Sequence, residues 1–264
     1  MASVLSPFMK QVLLSTQGND GRGCVNLQEC AADFQCPRDA LWNPARGIMP
    51  RSFAGALGSP DEVRLVVVLA EPSKPEGKDR EVYEPFDAAA SPAERLEQAA
   101  WYSYTKLEQA IPITREDIRE KKHAQAQWTT PPRRRILPYH RNLRRFLDLC
   151  WNGAPFGETM RGTWLTASML CTIPNCSAAD KNRAIERVAR RCASAHLLRE
   201  LALLPRVRAV VAMGKDVQGR LRSLGVEHVP VWHPGGSAAN ATPLQMLGNH
   251  ESAAAEVRRR LGIT

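Results

Sequence analysis

Seven cysteines, one Glu-Pro pair and one His-Pro-Gly-Gly turn stand out in this chain as residues whose type and spacing can do chemistry. Cys24, Cys30 and Cys36 follow one another with five residues between neighbours in GCVNLQECAADFQCPRD. Cys171, Cys176 and Cys192 form a second group, and Cys150 stands apart in FLDLCW. Two thiol groups so distant in sequence can close over one metal centre. The spacings lack the Cys-x2-Cys pairs of a zinc ribbon, and His123 and His140 have no ligand-like neighbours. Four thiolates with few histidines suit zinc and an iron–sulfur cluster alike. Buried, reduced cysteines are the competing reading. The start, MASVLSPFMKQVLL, reads as a first helix rather than a signal peptide, which argues against disulfides and makes the cytoplasm the expected location.

Leu69-Ala70-Glu71-Pro72-Ser73 places a carboxylate at the end of a buried strand, where it could hold a water or stabilise a cation. Trp232-His233-Pro234-Gly235-Gly236-Ser237 places an imidazole on a sharp turn beside small residues whose exposed N–H groups can stabilise a developing anion. Taken singly, a solvated loop Glu and a structural His are the plainer readings of the two.

These residues need elements to bring them together. DEVRLVVVLAEPS, TWLTASMLC, VRAVVAMG and HVPVWHPGG read as four strands. Between them, RNLRRFLDLCW is helical with Leu143, Phe146, Leu147 and Cys150 on one face, and DKNRAIERVARRCASAHLLRELALL is a long amphipathic helix starting near Asp180 or Asn182. DVQGRLRSLG and ESAAAEVRRRLG supply two more helices. The alternation predicts an α/β fold, a three-layer αβα arrangement of one domain (1–264) around a central, mostly parallel four-stranded sheet. Ligands of such sheets sit at the C-terminal ends of the strands, here 71–73, 167–171, 213–215 and 233–237. Residues 76–132 break the pattern and read as an insertion after the first strand, with one helix from Pro92 and a solvated helix over ITREDIREKKHAQAQ. Its Trp101, Tyr102, Tyr104 and Trp128 would wall a site or contact a strand of nucleic acid; an ordinary hydrophobic helix face is the plainer reading.

Hydrophobic residues at 44% and charged residues at 24% of 264 exclude a disordered chain. The longest clean apolar run, Val66 to Ala70, is far short of a bilayer span. Lys plus Arg is 36 against 27 Asp plus Glu, and the resulting +9 favours a polyanionic partner. Arg133, Arg134, Arg135, His140, Arg141, Arg144 and Arg145 flank Tyr139 and would grip phosphates, or form a solvated helix face.

In combination, order and spacing, these motifs resemble the uracil-DNA glycosylase superfamily, closest to its prokaryotic iron–sulfur branch, over roughly residues 24–75 and 133–262. The resemblance implies Glu71 and His233 as the catalytic pair and Tyr139 as the ring that stacks on a flipped base. It implies Gly235, Gly236 and Ser237 as a loop on DNA, and Cys30, Cys36, Cys171 and Cys192 as ligands of a structural [4Fe–4S] cluster, with zinc the lesser candidate. Cys24 rivals Cys30, and Cys176 rivals Cys171. The chain departs from the pattern where uracil readers carry an Asn: Ala167 stands there, and Ser73 is small where strict uracil enzymes place a ring. Ser168 or a backbone amide could substitute for the missing amide. The roomier pocket implies a monomeric, monofunctional DNA glycosylase that releases a 5-substituted pyrimidine, such as a hypermodified phage base, and leaves an abasic site. No lysine is placed for a Schiff base, although Lys74 and Lys215 lie at strand ends. Uracil excision in repair and a non-catalytic, cluster-stapled DNA-binding protein are the alternatives. A metal-dependent nuclease would need more carboxylates than Glu71 at the strand ends.

Overall fold

The computed structural model describes residues 6–16, 23–43, 53–70, 92–125, 127–128, 135–171, 180–235 and 242–264. The apolar run Leu65–Leu69 forms β2, buried along its whole length, as a strand covered on both faces must be. It pairs in parallel with β5 (Thr163–Ala167) on one side and β6 (Ala209–Met213) on the other. Strand β7 (Val229–Val231) continues the parallel set beyond β6. A two-residue strand β1 (Ala54–Gly55) adds antiparallel to β5, giving five strands in the order β1-β5-β2-β6-β7. The expected four are present; the fifth is too short for any sequence periodicity to mark.

Alternate strand residues feed two hydrophobic clusters. Val66, Val68, Trp164 and Ala212 join one, while Leu65, Val67, Leu165 and Val211 join the other. The first cluster takes Phe8 and Met9 from helix α1 (Pro7–Thr16) and Leu27, Ala31 and Phe34 from α2 (Leu27–Phe34). Trp164 is its centre, edge-on to Phe8 at 5.8 Å and stacked on Phe53 at 5.8 Å. The second cluster is covered by α5 (Pro138–Cys150), whose Leu143, Phe146, Leu147 and Cys150 share the predicted face, and by α10 (Pro243–Leu261).

Within 76–132, α3 (Pro92–Glu108) sends Ala100 and Tyr102 into the first cluster and Leu107 into the second. Tyr104 packs on Phe156 at 5.2 Å, so these two aromatics are a hydrophobic helix face. The charged stretch after it is helical only over α4 (Arg115–Arg119), opened by a Thr114–Asp117 capping box. Lys121 ends it with a left-handed backbone (φ 57) while Lys122 and His123 turn their N–H groups back to the Asp117 carbonyl. A short antiparallel pair, β3 (Gln127–Trp128) with β4 (Arg135–Ile136), precedes α5. Helix α6 (Phe156–Arg161) leads into β5. Helix α7 (Lys181–Cys192), capped by Asp180, runs through a π-helical turn (Ala193–Leu197) into α8 (Leu198–Ala202), and α9 (Lys215–Ser223) links β6 to β7.

Candidate catalytic turn and thiol pocket

His233 lies just beyond β7, on a turn whose backbone is held by three side chains. The Trp232 N–H donates to Asn249 Oδ1 at 2.8 Å, and His250 Nε2 donates to the Trp232 carbonyl at 3.1 Å. Asn142, on α5, donates its amide to the Pro234 carbonyl at 2.8 Å. The Gly235 N–H then donates to His233 Nδ1 at 3.1 Å, which leaves the ring proton on Nε2. Glycine suits two positions beside His233. A Cβ on Gly235 would come within 3.0 Å of the imidazole, and Gly214 adopts φ +100 beside the His233 Cβ. Burial pushes the His233 imidazole below its ordinary pKa, against the weaker opposing pull of Asp216. A neutral, Nε2-protonated imidazole is a donor without a charge of its own.

Tyr139, in the first turn of α5, faces this imidazole with ring centroids 5.7 Å apart, and its other neighbour His140 stands perpendicular at 5.2 Å. His250 is fully buried against Phe146, and that burial lowers its pKa to about 4. Its Nδ1 and the Asn142 Oδ1 have no hydrogen-bond partner among the described residues.

Ala167 pairs with Leu69 and is buried in the first cluster. Ser168 follows it with a hydroxyl already committed, donating to the Ala70 carbonyl at 2.9 Å and accepting from Arg220 at 2.9 Å. Arg220, itself buried, also holds Glu186 at 2.8 Å. Ser168 therefore has no hydroxyl proton left to offer a base edge. Glu71 directly follows Ala70; with Ser73, Arg133, Arg134, Cys176, Gly236 and Ser237 it lies outside the described residues. Arg135 is placed by its backbone in β4.

His140 accepts from the Leu137 N–H at 3.2 Å, and Arg141, Arg144 and Arg145 bind groups of the protein itself. Arg141 is only 4% exposed and donates to the Ile111 carbonyl at 2.9 Å and to Asp117 at 3.1 Å. Arg144 binds Asp148 at 2.8 Å and the carbonyls of Leu107 and Glu108 at 3.2 and 2.9 Å, and lies over the Phe156 ring. Arg145 pairs with Glu251 at 2.6 Å. Arg144 thereby satisfies the last carbonyls of α3, which lie at a helix end, and Arg141 binds a carbonyl of the chain just beyond it. Arg141 and Arg144 hold the segment 107–117 against α5, and Arg145 holds α10.

The cysteines converge. Cys24, Cys30, Cys171 and Cys192 line a single pocket together with Asn26, Leu27, Met169 and Val188. They come from three separate segments: the turn and helix of 24–30, the end of β5, and the last residue of α7. Burial raises every one of these thiols, Cys192 to about 12 and Cys171 well above its ordinary value. Polar groups meet three of the sulfurs: the Asn26 N–H donates to Cys24 at 3.4 Å, the Leu170 N–H to Cys192 at 3.3 Å and Arg191 to Cys30 at 3.7 Å, while His196 Nε2 shares a hydrogen bond with Cys24 at 3.0 Å whose direction follows the imidazole tautomer. Cys36 packs against the same hydrophobic cluster without lining the pocket.

No family model, curated protein or solved structure matches the chain.

The donor set of the pocket can still be tested for what it would hold. A zinc ion bound by four thiolates needs sulfurs about 3.8 Å apart, from Zn–S bonds of about 2.3 Å. Among the described residues no three Cys, His, Asp or Glu side chains form a group able to hold one metal ion. Four thiols spread round an apolar pocket, with N–H groups pointing at sulfur, fit a larger iron–sulfur core better.

Sequence reasoning missed several residues here. His196 is four residues after Cys192, the spacing that puts two side chains on one helix face, and that signal was available. Asn142, Asn249 and His250 carried none, being polar residues within helices whose partners are remote. Glu200 is likewise silent in sequence. It lies buried under the sheet, accepting from the Trp164 ring N–H at 2.8 Å, and burial raises its pKa to about 7.

Proposed function

We propose that this chain is a monofunctional DNA glycosylase of the uracil-DNA glycosylase type, acting on a 5-substituted pyrimidine. The observation that carries the proposal is the His233 turn, a neutral imidazole with its proton on Nε2, facing the Tyr139 ring at a strand end. Cleaving an N-glycosidic bond leaves an anionic base and an oxocarbenium-like sugar. Tyr139 would stack on the flipped base. His233 Nε2–H and loop N–H groups would donate to the anion, and Glu71, next in sequence to Ala70, would stabilise the cation and orient water. Removing one such donor typically costs about 3–4 kcal/mol of transition-state stabilisation. Ala167 offers no amide, and Ser168 is committed to Ala70 and Arg220, so β5 contributes little to discriminating uracil.

The same proposal places a [4Fe–4S] cluster on Cys24, Cys30, Cys171 and Cys192, with Cys24 taking the place the resemblance gives to Cys36. When bound, the cluster supplies a structural tie and no step of the chemistry. The reading also includes DNA as partner, a monomer in the cytoplasm, and a three-layer arrangement around the four parallel strands. Among the described residues no helix is long and apolar enough to cross a membrane.

The test is incubation with DNAs carrying uracil, thymine mismatches, and 5-hydroxymethyl- or glucosyl-modified cytosine, followed by alkaline cleavage of abasic sites. Cleavage of the modified DNAs above uracil supports the proposal. Uracil release without release of the modified bases selects repair instead. No release from any DNA, with binding retained, leaves the cluster-stapled binding protein.

A further inference from the structure

We propose that His196 is a fifth functional residue of the cluster site, donating its Nε2–H to the sulfur of Cys24 and raising the cluster's reduction potential. The inference rests on the [4Fe–4S] reading of the pocket. Its first support is local geometry. The helix that ends α7 at Cys192 opens into a π-helical turn over Ala193–Leu197, and His196 lies within it. Such turns are rare and appear frequently at functional sites. Here that side chain reaches the turn before α2, where Nε2 is 3.0 Å from Cys24 Sγ, 172 residues away in sequence.

The second support is chemical. His196 is buried, and a sulfur that ligates iron has no proton to give, so the nitrogen 3.0 Å from it is the one that donates. Asn26 N–H approaches the same sulfur at 3.4 Å, so Cys24 receives two donors. A donor to a ligating sulfur stabilises the more electron-rich state of a cluster, so each such bond moves the potential upward. A phenyl ring at 196 would fill the same space and donate nothing, whereas glutamine keeps an N–H at similar reach.

The experiment uses the whole chain purified without oxygen, with iron and sulfide measured first. Midpoint potentials are then read by mediated spectroelectrochemical titration for the unsubstituted protein, His196→Phe and His196→Gln. The expected result is a more negative midpoint for His196→Phe and a value near the original for His196→Gln, at equal iron content. An unchanged midpoint in an iron-replete His196→Phe protein overturns the proposal, as does a cluster that dithionite does not reduce. Should His196→Phe fail to fold, pulsed EPR of the reduced, unsubstituted protein labelled with 15N-histidine decides. One coupled histidine nitrogen supports the assignment, and none overturns it. Zinc, or no iron and sulfide, overturns the cluster reading itself and His196's role with it, which the metal analysis distinguishes from a failure of His196 alone.

Discussion

The thiol pocket and the His233 turn are built on opposite terms. The turn is finished by the polypeptide: Asn142, Asn249 and His250 satisfy its backbone, and Gly235 fixes the imidazole's tautomer. The pocket brings together four thiols whose burial opposes their ionisation, on segments tied by Arg187 and Arg191 to Asp33 and by the Leu170 N–H to Cys192. One region is closed by its own hydrogen bonds; the other, on the proposed reading, is completed by a cluster. Disturbing the first should change rates, and disturbing the second should change stability.

The largest expected effect is on rate. His233→Ala should slow base release by about 100- to 1,000-fold, with an unchanged melting temperature, measured by single-turnover assay on whichever modified DNA is cleaved. Loss of melting temperature alongside activity would erase the contrast. Next comes the pocket. Cys24→Ser should lose iron and lower the melting temperature by several degrees, while Cys36→Ser keeps both. The reverse result would return Cys36 to the ligand set.

A third effect sharpens the contrast through pH. His250, near the turn, has a folded pKa of about 4, below the ordinary 6.5. Its contribution is present above pH 6.5 and lost as pH falls toward 4, about 3 kcal/mol in all. Glu200, beneath Trp164, has a folded pKa of about 7, above the ordinary 4.5. Its contribution is present below pH 4.5, is lost as pH rises toward 7, and is of similar size, about 3 kcal/mol. The two slopes oppose each other across one window. Glu200→Gln should leave stability rising with pH, and His250→Phe should leave it falling, as read from urea midpoints between pH 4 and 7. Parallel curves for both variants would refute the assignment. The smallest effect belongs to Asn142→Ala, which removes one neutral hydrogen bond to the turn, worth about 1 kcal/mol, and should cost roughly fivefold in rate.

The parallel strands were legible because LVVVL, TWLTA, AVVAM and VPV are apolar, largely β-branched runs bounded by turns. Strand β1 was not: it is two residues long and includes Gly55 at φ 94, a conformation set by its neighbours. The cysteines were legible as two groups, but not as a ligand set. Cys24 and Cys36 flank Cys30 symmetrically in sequence, and only the end of α2 separates them. Gln35 takes a left-handed backbone (φ 52), so the chain leaves the helix before Cys36. The basic run showed its charge in sequence but not its partners, since Asp117 and Glu251 lie 24 and 106 residues from the arginines they hold.

Arg220 has a mechanical consequence. Its guanidinium grips Glu186 on α7 with one nitrogen and Ser168 with another, and Ser168 in turn grips Ala70. This linkage runs from the helix that carries Cys192 to the residue just before Glu71, through groups that are neither thiols nor part of the turn. A shift of α7 on emptying the pocket would be transmitted along it like a pull on a rod. The two regions are separate in chemistry, yet the residue that precedes Glu71 is tied to the helix that ends at Cys192.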